Sequence, residues 1–289
     1  MKGIVLAGGT GSRLYPSTLA ITKQMLPIFD KPMIYYPLSV LMLTGIRDIM
    51  IISTPNDLPI YERLLGKGKQ FGLNLTYKVQ PAPEGLAQAF LIGEDFISDS
   101  RVAMILGDNF FYGPTLSASL QKGALECQND CATIFGYQVE DPQRYGVIEF
   151  DGNKVTSIVE KPNYPKSNFA QLGLYFYDQN VVELTKKLKP SSRGELEITD
   201  LNNIYLAENK LNCIKLGQDF TWFDTGNPSS LLEASVFVKE TEQRLDSKIA
   251  CLEEIAFGLN WIDENQLEKQ ALIHKNSIYG EYLQNLLNK

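Results

Sequence analysis

The feature that most constrains this chain is its first strand and the loop that leaves it. Lys2-Gly3-Ile4-Val5-Leu6-Ala7 is apolar and partly β-branched, and reads as a short buried strand. Gly8-Gly9-Thr10-Gly11-Ser12-Arg13 follows at once. Its glycines let the backbone turn sharply and approach a ligand closely. A helix opening just after such a loop would aim several N–H groups at one spot, and a nest of that kind suits phosphate. Arg13 adds a forked cation, and Lys23 a second positive charge ten residues on. The spacing fits neither of the two commonest phosphate motifs. The glycines at 8, 9 and 11 do not give G-x-G-x-x-G, and no Lys-Ser or Lys-Thr pair closes a P-loop. A tight turn without a ligand is the plain alternative.

The chain's 289 residues suffice for one large α/β domain, with or without an appendage, and 44% hydrophobic content supplies a sizeable core. A net charge of −7 argues against nucleic acid as a partner, which calls for a basic face. It is compatible with a small polyanion held by a few local cations. The sequence has no apolar run of about 18 residues, so no membrane span is expected. Glycines and Arg13 break the N-terminal run, which does not read as a secretion signal, so the expected location is the cytoplasm. Cys127, Cys131, Cys213 and Cys251 lack zinc-site spacing and read as free thiols of a reducing compartment. His274 is the only histidine, which disfavours a His base and a Ser-His-Asp triad.

The pattern alternates strand and helix through the first half. Strands are expected at 48–53, 73–79 and 102–106, with helices at 34–45 (amphipathic), 58–65 and 86–96. This is the cadence of a doubly wound, mostly parallel sheet. The second half turns to hairpins. Strands are expected at 133–139, 146–150 and 154–160, with Asp151-Gly152 as the turn, and then at 173–177 and 211–216. Helices follow at 181–188, 198–208, 229–241, 266–273 and 279–287. This divides the chain into a catalytic body, 1–228, and a helical C-terminal segment, 229–289.

Ligands in open α/β sheets sit at strand C-termini, and the candidate residues cluster there. Asp108 follows the most apolar strand and Asp224 follows Trp222. A hard cation such as Mg²⁺ takes one or two carboxylates plus phosphate oxygens and water; turn-capping is the alternative for each Asp. Lys23 and Lys161 are candidate phosphate contacts. Glu160 beside Lys161 would suit sugar hydroxyls, and Tyr145-Gly146 lies on the neighbouring hairpin. Trp222 would wall a pocket or pack in the core. Gln80 offers an amide donor and acceptor to a pyrimidine imide edge, and Gly85 lets backbone reach the same ring.

With these residues in view, the chain resembles the sugar-1-phosphate nucleotidylyltransferases, and within them the glucose-1-phosphate thymidylyltransferase family. The motif G-G-x-G-x-R-L stands at Gly8 to Leu14, K-Q-x-L-P at Lys23 to Pro27, and D-K-P-M-I-Y-Y-P-L at Asp30 to Leu38. G-L-A-Q-A-F begins at Gly85, L-G-D-N at Leu106, R-Y-G-V at Arg144 and E-K-P at Glu160. G-E-L-E-I-T-D begins at Gly194 and W-x-D-T-G at Trp222. The resemblance covers essentially the whole chain.

It implies a Rossmann-like nucleotidyltransferase fold and a Mg²⁺-dependent synthesis of dTDP-glucose from dTTP and glucose 1-phosphate. It also implies roles. The loop Gly8, Gly9, Gly11, Ser12 and Arg13, with Lys23, holds the triphosphate. Gln80 and Gly85 read thymine. Gly146, Glu160 and Lys161 hold the sugar phosphate, and Asp108 and Asp224 bind the metal. Gln24, Asn109, Tyr145, Gln171 and Trp222 complete the substrate-binding set, and Arg13, Lys23, Asp108 and Lys161 form the catalytic set. A homotetramer is implied, with an end-product dTDP-sugar inhibiting at an interface site. A uridylyl or other sugar nucleotidylyltransferase, and a non-catalytic nucleotide-sugar-binding subunit, are the alternatives.

The chain departs from the family pattern in places. Gln171-Leu172 replaces Val-Thr at the sugar pocket, Asn227-Pro228 follows D-T-G, and Pro114-Thr115 replaces His-Asp. Gly258 stands where the family has an Arg. The last two changes lie toward the implied regulatory site, so weakened or retuned feedback is expected.

Overall fold

The computed structural model describes residues 1–128 and 130–288. In chain order its strands are β1 (Lys2–Leu6), β2 (Pro27–Ile28), β3 (Lys31–Pro32), β4 (Asp48–Ser53), β5 (Asn74–Val79), β6 (Val102–Leu106), β7 (Asn109–Tyr112), β8 (Ala132–Gln138), β9 (Gly146–Asp151), β10 (Lys154–Glu160), β11 (Phe169–Tyr177), β12 (Leu211–Lys215) and β13 (Thr221–Asp224). The helices are α1 (Tyr35–Leu43), α2 (Leu58–Leu65), α3 (Gln88–Ile92), α4 (Glu94–Ile97), α5 (Leu116–Glu126), α6 (Val181–Thr185), α7 (Ile198–Ala207), α8 (Pro228–Leu245), α9 (Leu252–Gly258), α10 (Glu264–Ile273) and α11 (Ile278–Leu286).

Nine strands form one sheet in the order β10-β9-β11-β6-β1-β4-β5, with β8 against β11 and β12 beside β8. The first strand lies in the parallel heart of this sheet, between β6 and β4. Ile4 and Val5 are fully buried on its two faces, as expected of a strand covered on both sides. The expected parallel order holds for β6-β1-β4-β5. Beyond β6 the sheet turns antiparallel, through β11 and the β9–β10 hairpin. The sheet is therefore mixed, because short hairpin connections require antiparallel neighbours.

Local departures have physical causes. The helix expected after the glycine loop is a single 3₁₀ turn, Ser12–Leu14. Tyr15 precedes Pro16 and is extended, which ends the turn. No helix dipole therefore reinforces this loop. The helix expected over 86–96 is broken into α3 and α4 at Gly93, where a Cβ would lie 2.5 Å from Met50 Cε. The expected amphipathic helix, α1, is buried from Tyr36 through Met42, because the sheet lies on one side and α9 on the other. Strand β7 and helices α5 and α9 are elements that the pattern did not predict.

The C-terminal helices are not a loose appendage. Leu252, Ala256, Leu267 and Leu283 share one apolar cluster with Val5 and Ile51 of the sheet and Leu38 of α1. Among the described residues no helix is long and apolar enough to cross a membrane. A buried charge network ties α8 to the β2–β3 hairpin. Lys31, 2% exposed, pairs with Asp30 and with Glu242 at 2.9 Å. Glu242 also accepts from Lys248 at 3.1 Å and from the Ile249 N–H at 2.9 Å. Removing one member of a buried pair strands the remaining charge, at about 3–5 kcal/mol. Asp30 still partners Lys31 and Lys248 when Glu242 is gone, so Glu242→Ala is expected to lower unfolding free energy by less, about 1–3 kcal/mol. Urea unfolding checks this; a loss under about 1 kcal/mol would place these charges effectively in solvent.

Candidate active site

The site forms where β1, β6 and β13 end. Strand β1 delivers the glycine loop, β6 delivers Asp108, and β13 ends on Asp224. Strands β13 and β7 pair antiparallel with Asp224 opposite Asn109. Thr225 then locks this junction, its hydroxyl and its N–H donating to the Asp108 carbonyl at 2.7 and 3.2 Å. Two aspartates distant in sequence are thereby brought to one spot.

Both carboxylates line a cavity of about 520 Å³, with Arg13, Tyr145, Gly146, Glu160, Lys161, Gln171 and Trp222. A second cavity of about 200 Å³ is lined by Gly8, Gly9, Lys23, Gln24, Gln80 and Gly85. Asp108, Leu86, Leu106 and Glu195 border both, so the two are lobes of one cleft with Asp108 at the junction. Gly11 and Ser12 border neither lobe. Gly11 is the left-handed residue before the 3₁₀ turn, and its carbonyl accepts from Thr18 Oγ1 at 2.7 Å.

Charge is balanced tightly at the junction. Lys23 Nζ pairs with Asp108 Oδ2, and Asn109 Nδ2 donates to Oδ1 at 3.1 Å. Burial opposes ionisation of Asp108, but the Lys23 ammonium and these hydrogen bonds outweigh it and hold the carboxyl below its ordinary range. Asp224 goes the other way. Burial and the neighbouring Asp108 charge raise its pKa, against the pull of Arg13, Lys23 and Arg144. Arg144 Nη2 is 3.4 Å from Asp224 Oδ2. The Arg13 guanidinium lies against Gly226, where a Cβ would come within 2.5 Å of Nη2.

The smaller lobe is built from amides. Gln80 Nε2 donates to Gln88 Oε1 at 2.7 Å, and Gln88 Nε2 donates to Glu84 Oε2 at 2.7 Å. That relay fixes which way Gln80 faces. Gln24 is buried, its Oε1 accepting from Thr22 at 2.8 Å and Tyr61 at 3.2 Å. Gly85 has φ +104°, and a Cβ there would strike the Leu196 backbone. The strap is stitched to that backbone, with the Leu196 N–H on Glu84 O at 2.7 Å and the Ala87 N–H on Leu196 O at 3.2 Å. Close packing thus requires glycine at 85, whatever the loop contacts.

In the larger lobe, Trp222 Nε1 donates to Asn109 Oδ1 at 2.8 Å, and the Gly173 N–H reaches the same oxygen at 3.2 Å. Asn109 is therefore a bracket with its polar atoms committed to protein. Trp222 and Tyr145 meet edge-to-face at 5.2 Å. Glu160 accepts from Thr199 at 2.6 Å and lies 3.7 Å from Lys161 Nζ. Lys161 has φ +43°, a left-handed conformation that costs about 1–3 kcal/mol for a residue with a Cβ. Its N–H is held by the Tyr145 carbonyl at 3.0 Å. The sequence reading missed Arg144, Arg193, Glu195 and Glu197 at this wall. Arg193 grips Glu197 with two bonds, 3.1 and 2.7 Å, and lies 3.6 Å from Glu160. The available signal was position: Arg144 adjoins Tyr145, and the other three crowd 193–197.

A glycine loop at a parallel strand end, several cations and two convergent carboxylates define an enzyme site for nucleotides and phosphate esters. The chain belongs to the nucleotidyl transferase family, whose model matches residues 2–241. It is similar to a glucose-1-phosphate thymidylyltransferase of Neisseria gonorrhoeae, 53% identical over 290 residues and 100% of both chains. A protein of the same name from Xanthomonas campestris pv. campestris is 52% identical over 283 residues, 98% of this chain and 95% of the relative. Among solved structures, one from Bacillus anthracis under that name, in complex with sucrose, matches with a TM-score of 0.76. It is 42% identical and covers 82% of this chain and 94% of that one. A UDP-glucose pyrophosphorylase complexed with UDP-glucose matches at TM-score 0.73 and 26% identity, over 83% of this chain and 98% of that one.

Proposed function

We propose that the chain transfers a thymidylyl group from dTTP to α-D-glucose 1-phosphate, releasing pyrophosphate and giving dTDP-glucose. The observation that carries this reading is the two-lobed cleft meeting at Asp108, in a chain half identical to relatives named for that reaction. The amide-lined lobe takes the nucleotide, with Gln80 on the base. The lobe of Tyr145, Gly146, Glu160, Lys161 and Trp222 takes the sugar phosphate.

An oxygen of the sugar phosphate attacks the α-phosphorus in line; a new P–O bond forms as the bond to the β-phosphate oxygen breaks. The nucleophile is already an anion at neutral pH, so no general base is needed, consistent with a cleft without histidine. Catalysis reduces to positioning and charge neutralisation. Lys161 sits on the attacking ester, while Arg13 and Lys23 sit on the triphosphate and its departing pyrophosphate. Asn109 orients Asp108.

Asp108 and Asp224 would supply the oxygen donors for Mg²⁺. The donor set suits a hard cation that keeps water and phosphate oxygens. Their fit rests on proximity: the Asp108 charge raises the cost of ionising Asp224, a cost that a bound divalent cation would offset. When bound, Mg²⁺ neutralises charge on the phosphates.

Pyrophosphate release across the nucleoside triphosphates, each with a panel of sugar 1-phosphates, tests the reading. dTTP with glucose 1-phosphate is expected to give the highest kcat/KM. UTP in first place would make the chain a uridylyltransferase, and no turnover would leave a nucleotide-sugar-binding subunit.

Residues 1–228 form the catalytic body and 229–289 an interface segment of a cytoplasmic homotetramer. An end-product dTDP-sugar binds at that interface, but weakly, because Gly258 supplies no cation for its diphosphate. dTDP-rhamnose is expected to inhibit at least about tenfold less well than in a relative that keeps the Arg, a difference on the order of one charge-assisted contact. Equal potency in an inhibition titration would contradict this.

A further inference from the structure

The sugar-facing lobe contains a buried amide that the steps above do not use. Gln171 lies on β11 and is 6% exposed. Here the strand leaves its regular ladder, the β11–β8 register shifting between Gln171 and Tyr175. The Gly173 N–H within that shift is taken by the Asn109 side chain. Such irregularities re-aim side chains beside active sites.

The amide is held in one orientation. Its Oε1 accepts from Asn202 Nδ2 at 3.0 Å. Asn202, on α7, is fully buried, and its own carbonyl accepts from the Tyr177 hydroxyl at 2.6 Å. A Tyr177–Asn202–Gln171 relay thus pins the carbonyl end into the protein. The –NH₂ end is left for the cavity, which Gln171 lines together with Tyr175. An –NH₂ group has two donors, so even a bond to the Tyr175 hydroxyl would leave one for a ligand. An aliphatic side chain would line this wall without the cost of burying an amide.

We propose that Gln171 is a specificity residue for the sugar: its Nε2–H donates to an oxygen on the ring of the bound sugar 1-phosphate, with Asn202 as its positioning partner. This rests on the cleft's assignment to a sugar phosphate. It commits to a ligand class, a hexose 1-phosphate with an acceptor oxygen on the ring position that faces β11. A site built to bond a hydroxyl rejects the analogue lacking it far more strongly than an apolar site does.

The test compares glucose 1-phosphate with its 2-, 3-, 4- and 6-deoxy analogues, in the wild-type chain and in Q171V, Q171E and N202L. In the wild type, one analogue is expected to fall about tenfold or more in kcat/KM. That single penalty is expected to shrink to within about threefold in Q171V and Q171E, where the donor is gone, and to shrink partly in N202L, where the amide is free to turn. Q171E is nearly isosteric and covers the case in which Q171V folds poorly. Deoxy penalties that stay the same in Q171V and Q171E overturn the proposal while leaving the assigned reaction standing. A wild-type chain inactive with glucose 1-phosphate overturns both.

Discussion

Asp108→Asn is expected to lower kcat by about 10³-fold, or about 4 kcal/mol of transition-state stabilisation. The residue stands where both lobes of the cleft meet, and its charge acts on Asp224, which lines the same lobe. Asparagine keeps the shape and the carbonyl oxygen but loses the charge, so the cation is held less well and Lys23 loses its counter-ion. Loss of that charged hydrogen bond is expected to cost about 1–3 kcal/mol of stability, which leaves the chain folded. Pyrophosphate release measured against Mg²⁺ concentration, alongside a thermal melt, separates the two effects. Near-normal turnover with an unchanged Mg²⁺ dependence would remove Asp108 from the metal site.

Arg13→Ala is expected to reduce kcat/KM for dTTP by about 10²–10³-fold. This side chain is exposed at the cleft mouth, held against Gly226 rather than packed in the core. Its removal should therefore change stability by less than about 0.5 kcal/mol, so lost activity reports on function alone. The loop supplies one 3₁₀ turn and no helix dipole, which makes side-chain charge more important here than in a loop that opens a long helix. Arg13→Lys is expected to recover only part of the loss, since an ammonium offers a point charge without the planar fork. Stopped-flow or steady-state kinetics at saturating sugar phosphate would decide it. A change smaller than about threefold in Arg13→Ala would take this residue off the triphosphate, since a single lost donor of this kind costs far more.

Much of the site was legible because its residues sit at the ends of strongly apolar strands. The runs 2–7 and 102–106 fix two strand ends, and so locate Gly8 and Asp108. Trp222-Phe223-Asp224 did the same for the second carboxylate. The hairpin itself was also readable, but its turn is Gly152-Asn153 rather than Asp151-Gly152, because Asp151 still pairs with Lys154 as the last residue of β9. Other elements were not. Helix α1 carries apolar residues on all sides, so periodicity could not say that it is covered twice. The break between α3 and α4 falls at Gly93, where the side chain of Met50 on β4 leaves no room for a Cβ. Arg193 and Glu197 look like ordinary surface charges until α7 and β10 bring them beside Glu160.

The sequence by itself determined which chemical groups are present: a glycine-rich loop beside cations, two aspartates at strand ends, several amides, and a single histidine far along the chain. Those are local properties, set by side-chain type and by short-range backbone preference. Only the tertiary structure decided which of these groups meet. Asp224 reaches Asp108 through the pairing of β13 with β7 and the clasp of Thr225. The Gln171 carbonyl end is held by Asn202, which comes from a separate helix. Both outcomes depend on register and packing between segments far apart in the chain, where the energy lies in contacts that no local pattern encodes.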